Sequence, residues 1–410
     1  MQVAVFHPGT QHSWQTASAL DQLGLLEWYA TSIFYKPDSL PYALERVVPG
    51  ALGRRLQAEF RRFSHPGLDP AKVRTVGLVE WLERLAGRAG MRGLARWLDA
   101  HGNRRFVAHL ARDLASPRDF ALWGYSGSSA ATFAAAREHD RLCILDRTIG
   151  DFRAYNRTME PVRESHGEWF LPSSGPIEAT QIEADQREYE LADVILAGSR
   201  FAAETVQAEG GAEIARKVRV LPYCFDEALF GAQPVPAPIG GGEPVRFLFV
   251  GQAHPRKGIH HLLEAFARLP LDQVSLTVVG ELGVPRAVFA RHADRVRYLP
   301  TVARADIPAI MAAHHVLVFP SYFEGSALSL LEALASGMAI IQTPSSGNGV
   351  TPETGIMLDR PDTDLLHQAM LTAITNRDRL NGWRAAAQPQ ARRYSFARYR
   401  ENIAALLAEL

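Results

Sequence analysis

The chain has 410 residues, and its 44 Lys and Arg are balanced by 44 Asp and Glu, so the total charge implies no nucleic-acid or other polyanion partner. Apolar residues make up 47% of it, ample for the two or three domains this length suggests. No window reaches the roughly 20 continuous apolar residues a spanning helix needs, and Cys143 and Cys224 are too few for a disulfide framework or a thiolate metal site.

In chain order, a strand over residues 2–6 begins directly after Met1 rather than after a signal peptide, which favours a cytoplasmic protein. The polar loop that follows, with Gly9, Thr10, Gln11 and His12, faces the start of a helix at about residues 14–23. Residues 41–120 are locally basic, with fifteen Lys or Arg against eight Asp or Glu. Arginine pairs at 54–55, 61–62 and 104–105 and apolar residues near Trp81, Leu85, Leu94, Trp97 and Leu98 have the pattern of a basic amphipathic surface. Such a surface could make peripheral contact with anionic lipid, and a solvated helical insertion is the plainer alternative. A strand over 142–145 ends in a loop holding Asp146 and Asp151. An acidic helix over 178–190 then leads to a strand ending near Gly198, where Ser199 reads as a helix N-cap. A last strand over 218–222 precedes the Pro- and Gly-rich run 233–242, which opposes both helix and central strand and reads as a hinge.

Beyond that run the chain alternates strand and helix, implying a parallel, doubly wound sheet. A strand over 246–250 leads into Gly251, Gln252, Ala253, His254, Pro255, Arg256, Lys257 and Gly258, and then an amphipathic helix over 259–269. Strands over 274–279 and 296–299 end beside Gly280, Glu281, Leu299 and Val302, positions where such sheets collect ligands. The apolar strand 316–319 is stopped by Pro320 and by Glu324 with Gly325, before Leu328, Leu331 and Leu334 take up helical spacing. Backbone N–H groups at Ser326, Ala327 and Leu328 would face an anion such as phosphate. Glu324, and Glu332 farther along the helix, would accept from hydroxyls on two different parts of the ligand, a sugar and a ribose. Asp362 and Asp364 have metal-binding spacing, but they open a helix over 365–374 and read as an N-cap with a first-turn acid. The pairs His260–His261 and His314–His315 point about 100° apart on a helix and offer no ligand set, so no metal is expected.

The segment from Glu324 to Glu332 resembles the Glu, seven residues, Glu motif of retaining glycosyltransferases of family 4, which continues Gly-Phe-Gly-Leu where this chain has Gly325-Ser326-Ala327-Leu328. The loop 251–258 is similar to that family's Gly-Arg-Leu-x-x-x-Lys-Gly, with Gln252 in place of the arginine. The resemblance implies an α/β GT-B fold, two Rossmann-like doubly wound domains facing a central cleft. It divides the chain into residues 1–230, an acceptor half carrying the basic insertion, a hinge at 231–242, a donor half at 243–393, and a helix at 394–410 crossing back to the first half. It also implies retaining transfer of a hexosyl or related sugar from a UDP, GDP or ADP sugar to a glycan, glycolipid or lipid-linked acceptor of cell-surface polysaccharide synthesis, without metal or other cofactor. Lys257 would hold the donor diphosphate, with Arg256 supplying the cation missing at Gln252. Glu324 would hold sugar hydroxyls, Glu332 the ribose, and Gly251 would join the donor site. The histidine that family members carry after a central first-domain strand is absent, leaving Asp146, Asp151, His7, His12 and His166 as candidates for polar roles on the acceptor or sugar side, with Gly9, Thr10 and Gln11 of the first loop beside them. A non-catalytic nucleotide-sugar-binding subunit on the same fold is the alternative.

Overall fold

The computed structural model describes residues 1–9, 12–36, 42, 43, 48–50, 53, 57, 60, 67–75, 91 and 106–410. Thr10, Gln11, and the arginine pairs and interleaved apolar residues of the basic stretch lie outside the described residues.

Two sheets organise the chain. The first has seven strands, β1 (Gln2–His7), β2 (Leu26–Thr31), β3 (Val73–Thr75), β4 (Phe120–Tyr125), β5 (Cys143–Arg147), β6 (Val194–Ala197) and β7 (Val218–Val220), in the order β3-β2-β1-β4-β5-β6-β7. The second has six, β8 (Val245–Val250), β9 (Val274–Val279), β10 (Arg297–Leu299), β11 (Val316–Phe319), β12 (Ala339–Gln342) and β13 (Gly355–Met357), in the order β10-β9-β8-β11-β12-β13. The pairings are parallel, as in β1 with β2 and β4, and β8 with β9 and β11. Parallel strands covered on both faces need continuous apolar runs, and β11 is one, with all four residues of its Val-Leu-Val-Phe sequence buried. Each such side chain contributes about 1.5–3 kcal/mol by leaving water. Both sheets reverse their winding once, at β1/β4 and at β8/β11. At such a point neighbouring strand ends diverge and leave a crevice.

The chain divides into two compact units. Residues 1–146, 183–196 and 400–410 form one, and residues 147–182 and 197–399 the other. In the first unit, Arg400 donates from Nη1 to Gln22 Oε1 at 2.6 Å. In the second unit, the run expected to be a hinge lies along the helix Arg377–Ala391. Arg384 donates to the Ala237 carbonyl at 2.7 Å, Asn381 Oδ1 accepts from Ile239 N–H at 2.9 Å, and Ile239 itself is buried. Its prolines make extended backbone without ladder partners, and side chains of that helix take the place of the ladder.

Strand β5 runs to Arg147, two residues beyond the expected end. A buried arginine is tolerated there because Nη2 donates to the Gly150 carbonyl at 2.9 Å and the guanidinium lies 4.5 Å from the Phe152 ring. Asp146 is therefore a strand residue rather than part of a loop. The helix expected at 259–269 ends at Ala267, and the one expected at 14–23 is Ser13–Gln22. Ser199 and Asp362 are N-caps as expected, accepting from Ala202 N–H at 3.2 Å and from Asp364 and Leu365 N–H at 2.9 and 3.0 Å. No helix among the described residues is long and apolar enough to cross a membrane.

Candidate active site

At the carboxyl end of β8, His254 Nδ1 accepts from Arg256 N–H at 3.1 Å and opens a single 3-10 turn, Pro255–Lys257. Gly258 ends the turn with φ at 69°, and a Cβ there would stand 2.1 Å from the Pro320 carbonyl oxygen, so this glycine both reverses the chain and lets the β11 loop come close. The turn aims Lys257 back across Gly251. Its ammonium lies 4.6 Å from the Phe319 ring and donates to Glu324 Oε1 at 2.6 Å. Arg256 Nη1 donates to the Phe323 carbonyl at 2.6 Å and stands 2.8 Å from the same Glu324 oxygen, which Ser321 Oγ also reaches at 3.3 Å.

Phe323 fixes the carboxylate's backbone. Its ring is fully buried, with Tyr155 and Phe201 meeting it edge-on at centroid distances of 5.5 and 5.3 Å. The next residue but one, Gly325, is forced by packing, because a Cβ would lie 1.9 Å from the Thr148 carbonyl oxygen. The small residue is thus explained by the protein's own backbone rather than by a ligand's approach.

Burial alone would raise the carboxyl of Glu324, but the charges of Lys257 and Arg256 outweigh it and hold the group below the usual carboxylate range. For Lys257, burial lowers the ammonium, Glu324 opposes this and Arg256 adds to it, leaving the group below the usual lysine value. Burial also pushes His254 down to about 4, so it stays neutral beside the two cations. Two cations against one carboxylate leave the site net positive, which suits a diphosphate.

The helix Leu328–Ala335 starts directly after this loop, with Ala327 as its N-cap and no side-chain cap. Of the three N–H groups expected to face an anion, that of Ala327 is already committed, donating to the Ser346 carbonyl at 3.1 Å. Ser326 Oγ is shielded and has no hydrogen-bond partner among the described residues, an orphan polar group of the kind a bound phosphate would satisfy. Glu332 is buried on the same helix and ion-paired to Arg304, whose side chain is half exposed. Nothing in the spacing of the sequence singled out Arg304.

Around the ends of β9 and β10 a cavity of about 620 Å³ is lined by Glu281, Leu282, Tyr298, Pro300, Thr301 and Leu171 among others. Glu281 is thus one of the lining residues. Gly280, Leu299 and Val302 are not among the lining residues; instead Gly280 N–H donates to the Leu299 carbonyl at 3.0 Å, and Tyr298 Oη donates to the Gly280 carbonyl at 2.9 Å. Gln252 is exposed on the turn, and the guanidinium beside Lys257 comes from Arg256.

In the first unit, the β1/β4 reversal gathers different chemistry. His7 and His12 flank Tyr125 at ring distances of 5.1 and 5.3 Å, and His12 Nε2 lies 3.8 Å from the buried Asp146 Oδ1. Burial, reinforced by His12, lowers His7 to about 4. Gly9 presents its carbonyl to Thr31 Oγ1 at 3.2 Å. Asp151 belongs to the second unit, where it caps the helix Phe152–Ser165, accepting from Arg153 N–H at 2.8 Å and pairing with the Arg153 guanidinium at 2.8 Å.

The histidines do form one group. His166, at the end of the helix Phe152–Ser165, meets His260 and His261, and one ligating atom from each ring lies within 4.8 Å of the others. Considering each adjacent pair alone missed it, because the third member comes from about a hundred residues upstream.

Residues 244–376 match the family model described as Glycosyl transferases group 1. The chain is similar to O-antigen chain mannosyltransferase B of Escherichia coli, 29% identical over 163 residues that make up 36% of this chain and 42% of that protein. It is also similar to the lipopolysaccharide glucosyltransferase WaaG of Escherichia coli strain K12, 34% identical over 107 residues, 24% of this chain and 28% of that protein. The matched stretches therefore span less than half the length of these relatives. The crystal structure of Anabaena HepE in complex with UDP-glucose aligns over 100% of both chains, with a TM-score of 0.64 and 15% identity. The chain has the GT-B fold. The matched family segment contains Lys257, Arg256, Glu324 and Glu332 together.

Proposed function

We propose that this chain is a retaining glycosyltransferase of family 4 that moves a sugar from a nucleoside-diphosphate sugar to a glycan, glycolipid or lipid-linked acceptor in cell-surface polysaccharide synthesis. The observation that carries this reading is the convergence of Lys257 and Arg256 on Glu324 at the β8/β11 reversal. The names of the relatives, an O-antigen mannosyltransferase and a lipopolysaccharide glucosyltransferase, support the acceptor class, and the UDP-glucose held by HepE supports the donor class.

The donor's diphosphate would compete with Glu324 for both cations, taking over Lys257 and Arg256 and the orphan hydroxyl of Ser326. Glu324, released from its ion pairs, would then accept from the sugar's hydroxyls. Glu332, held by Arg304, would take the ribose, and the cavity beside Glu281 would take the base. In the transfer step the bond from the anomeric carbon to the phosphate oxygen breaks and its electrons leave with the diphosphate. The acceptor oxygen bonds the same face of that carbon, and the acceptor proton passes to the departing phosphate. Retention then needs no protein nucleophile, and the site's contribution is charge stabilisation and alignment. Lys257 and Arg256 supply the cationic charge at the diphosphate, so turnover is expected to be indifferent to added magnesium.

With residues 1–230 as the acceptor half, His7, His12 and Asp146 would hold acceptor hydroxyls. The arginine-rich stretch within residues 41–120 would bring the protein to an anionic lipid surface where a lipid-linked acceptor resides. The test is a thermal-shift screen against UDP, GDP, ADP and CMP and their sugar conjugates with and without magnesium, followed by product analysis with the donor that shifts. A metal-independent shift with one nucleoside diphosphate, and an α-product from its α-linked sugar conjugate, is the expected result. Donor binding without any transfer or hydrolysis would favour the non-catalytic reading instead, and the exposed Gln252 in the arginine's place is the residue that argues for it.

A further inference from the structure

We propose that His166, His260 and His261 form a binding site for a divalent transition-metal ion, with Zn²⁺ the best fit, which fastens the segment after β5 to the helix that carries the Lys257 turn.

The three rings are brought together by packing within the second unit. Ring centroids lie 4.5 Å apart for His166 and His260, 5.4 Å for His166 and His261, and 4.1 Å for His260 and His261. His260 is completely buried, and neither of its ring nitrogens has a hydrogen-bond partner among the described residues. A neutral imidazole always carries one N–H and one lone pair, so burying both unsatisfied is costly and calls for an occupant that the polypeptide itself does not provide. Apolar and aromatic groups surround the ring. Tyr322 stacks on it at 5.9 Å and Trp169 lies 6.0 Å away, which leaves the side facing the other two histidines as the polar one.

The hydrogen bonds of His261 fix its tautomer. Thr363 Oγ1 donates its proton to Glu264 Oε2 at 3.0 Å, so at its 2.8 Å contact with His261 Nδ1 the threonine oxygen is the acceptor and Nδ1 carries the hydrogen. Nε2 therefore holds the lone pair, which now accepts from Tyr322 Oη at 2.6 Å. A ligand histidine whose far N–H is held through a hydroxyl by a carboxylate is the arrangement that orients metal-bound imidazoles and raises their basicity. Ligating atoms within 4.8 Å of one another need only a small inward movement, since Zn–N bonds of 2.0–2.1 Å at tetrahedral angles place two nitrogens about 3.4 Å apart. Three imidazoles favour zinc, copper or nickel over magnesium or calcium. The fourth position would fall to water or to the Tyr322 hydroxyl.

The role follows from what the ligands belong to. His166 ends the helix Phe152–Ser165, and His260 and His261 lie in the first turn of the helix Ile259–Ala267, which begins directly after Lys257 and Gly258. An ion there would brace the cationic turn from behind without touching the diphosphate, so its presence is compatible with magnesium-independent transfer and does not depend on the protein being a transferase.

The test uses purified full-length protein stripped with chelator and desalted, then titrated with zinc chloride by calorimetry, with cobalt(II) as a spectroscopic probe. One equivalent of zinc per chain, a visible cobalt d–d band, and a melting temperature that rises with zinc are expected. His166→Ala removes a half-buried ring at a helix end and should fold, losing both the zinc equivalent and the cobalt band. His260→Ala should do the same, and if it fails to fold, His166→Ala decides. Thr363→Ala should weaken zinc binding by about 10- to 100-fold, and His139→Ala, an exposed histidine elsewhere, should leave it unchanged. Absence of saturable zinc binding by the wild type, or unaltered binding by His166→Ala, overturns the proposal.

Discussion

The two sheets reverse their winding in the same way, at β1/β4 and at β8/β11, yet the chain places different chemistry at the two points. Beyond β8 and β11, fixed charges converge: an ammonium and a guanidinium share one carboxylate oxygen, and Phe323 and the left-handed Gly258 hold the loops that carry them. Beyond β1 and β4, aromatic rings predominate, with His7, His12 and Tyr125 in ring contact and Asp146 buried nearby. Fixed net positive charge suits a ligand that is itself strongly charged, whereas imidazoles, hydroxyls and one carboxylate suit neutral hydroxyls. On the proposed function, the same topology would carry the diphosphate at one reversal and uncharged sugar at the other, and single substitutions separate the two.

The largest effect is expected at the charged reversal. Lys257→Ala should lower turnover by about 10²- to 10³-fold, the usual cost of removing a preorganised group that stabilises developing charge. It should also weaken nucleoside-diphosphate binding, measured by calorimetry with the nucleotide alone. Unchanged turnover would break the assignment of the diphosphate to this reversal. Glu324→Gln should cost about 10²-fold in turnover while leaving nucleotide affinity intact or tighter, because the carboxylate competes with the diphosphate for both cations. A variant that lost nucleotide affinity and turnover in parallel would show that Glu324 acts on the nucleotide and not on the sugar.

A smaller effect is expected at the buried Glu332. Glu332→Gln should raise the donor's KM by about 10- to 100-fold, from one lost charged hydrogen bond, with kcat little changed. Arg304→Met should reproduce part of that rise and lower thermal stability, since it leaves a buried carboxylate without its partner. At the other reversal, His12→Ala should raise the acceptor's KM about tenfold with donor affinity unaltered, read from initial rates at saturating donor. If His12→Ala changed nucleotide affinity instead, the contrast between the two reversals would fail.

The residues of the charged reversal were legible in the sequence because each sits in a short strand-loop-helix motif that resembles a known family's, although the contact between Lys257 and Glu324, 67 residues apart, was not. Lys257 follows β8 within one loop, and Glu324 and Glu332 sit in one strand, turn and helix, so strand-loop-helix order places them. What escaped was long-range. Arg304 reaches Glu332 from another loop, and His166 joins His260 and His261 from beyond the run of prolines and glycines. No periodicity connects residues so far apart. Composition says of that run only that no helix or central strand can form there; that side chains such as Asn381 and Arg384 fasten it to a helix far along the chain was out of its reach. The end of β5 was misplaced for a related reason, since a charged Arg147 looks like the start of a loop unless its internal partners are known.

The smallest expected effect concerns acid stability, and its sign follows from the Glu324 ion pairs. The carboxyl of Glu324 is held below its ordinary value in the folded protein, chiefly by Lys257 and Arg256 acting against burial. A folded-state value below the unfolded one means that the unfolded chain binds the proton more readily. The pair's stabilisation is therefore complete above the ordinary carboxylate range and is lost as pH falls through the lower folded value. Glu324→Gln has no proton to take up, so its melting temperature should decline less between about pH 5 and pH 3 than that of the wild type, whose ordinary value is near 4.3. The difference between the two should shrink as the solution is acidified, measured by thermal denaturation in matched buffers. Parallel acid declines for the two proteins would mean that Glu324 is not held ionised by its neighbours, and the view of the β8/β11 reversal as a fixed-charge site would lose its electrostatic basis.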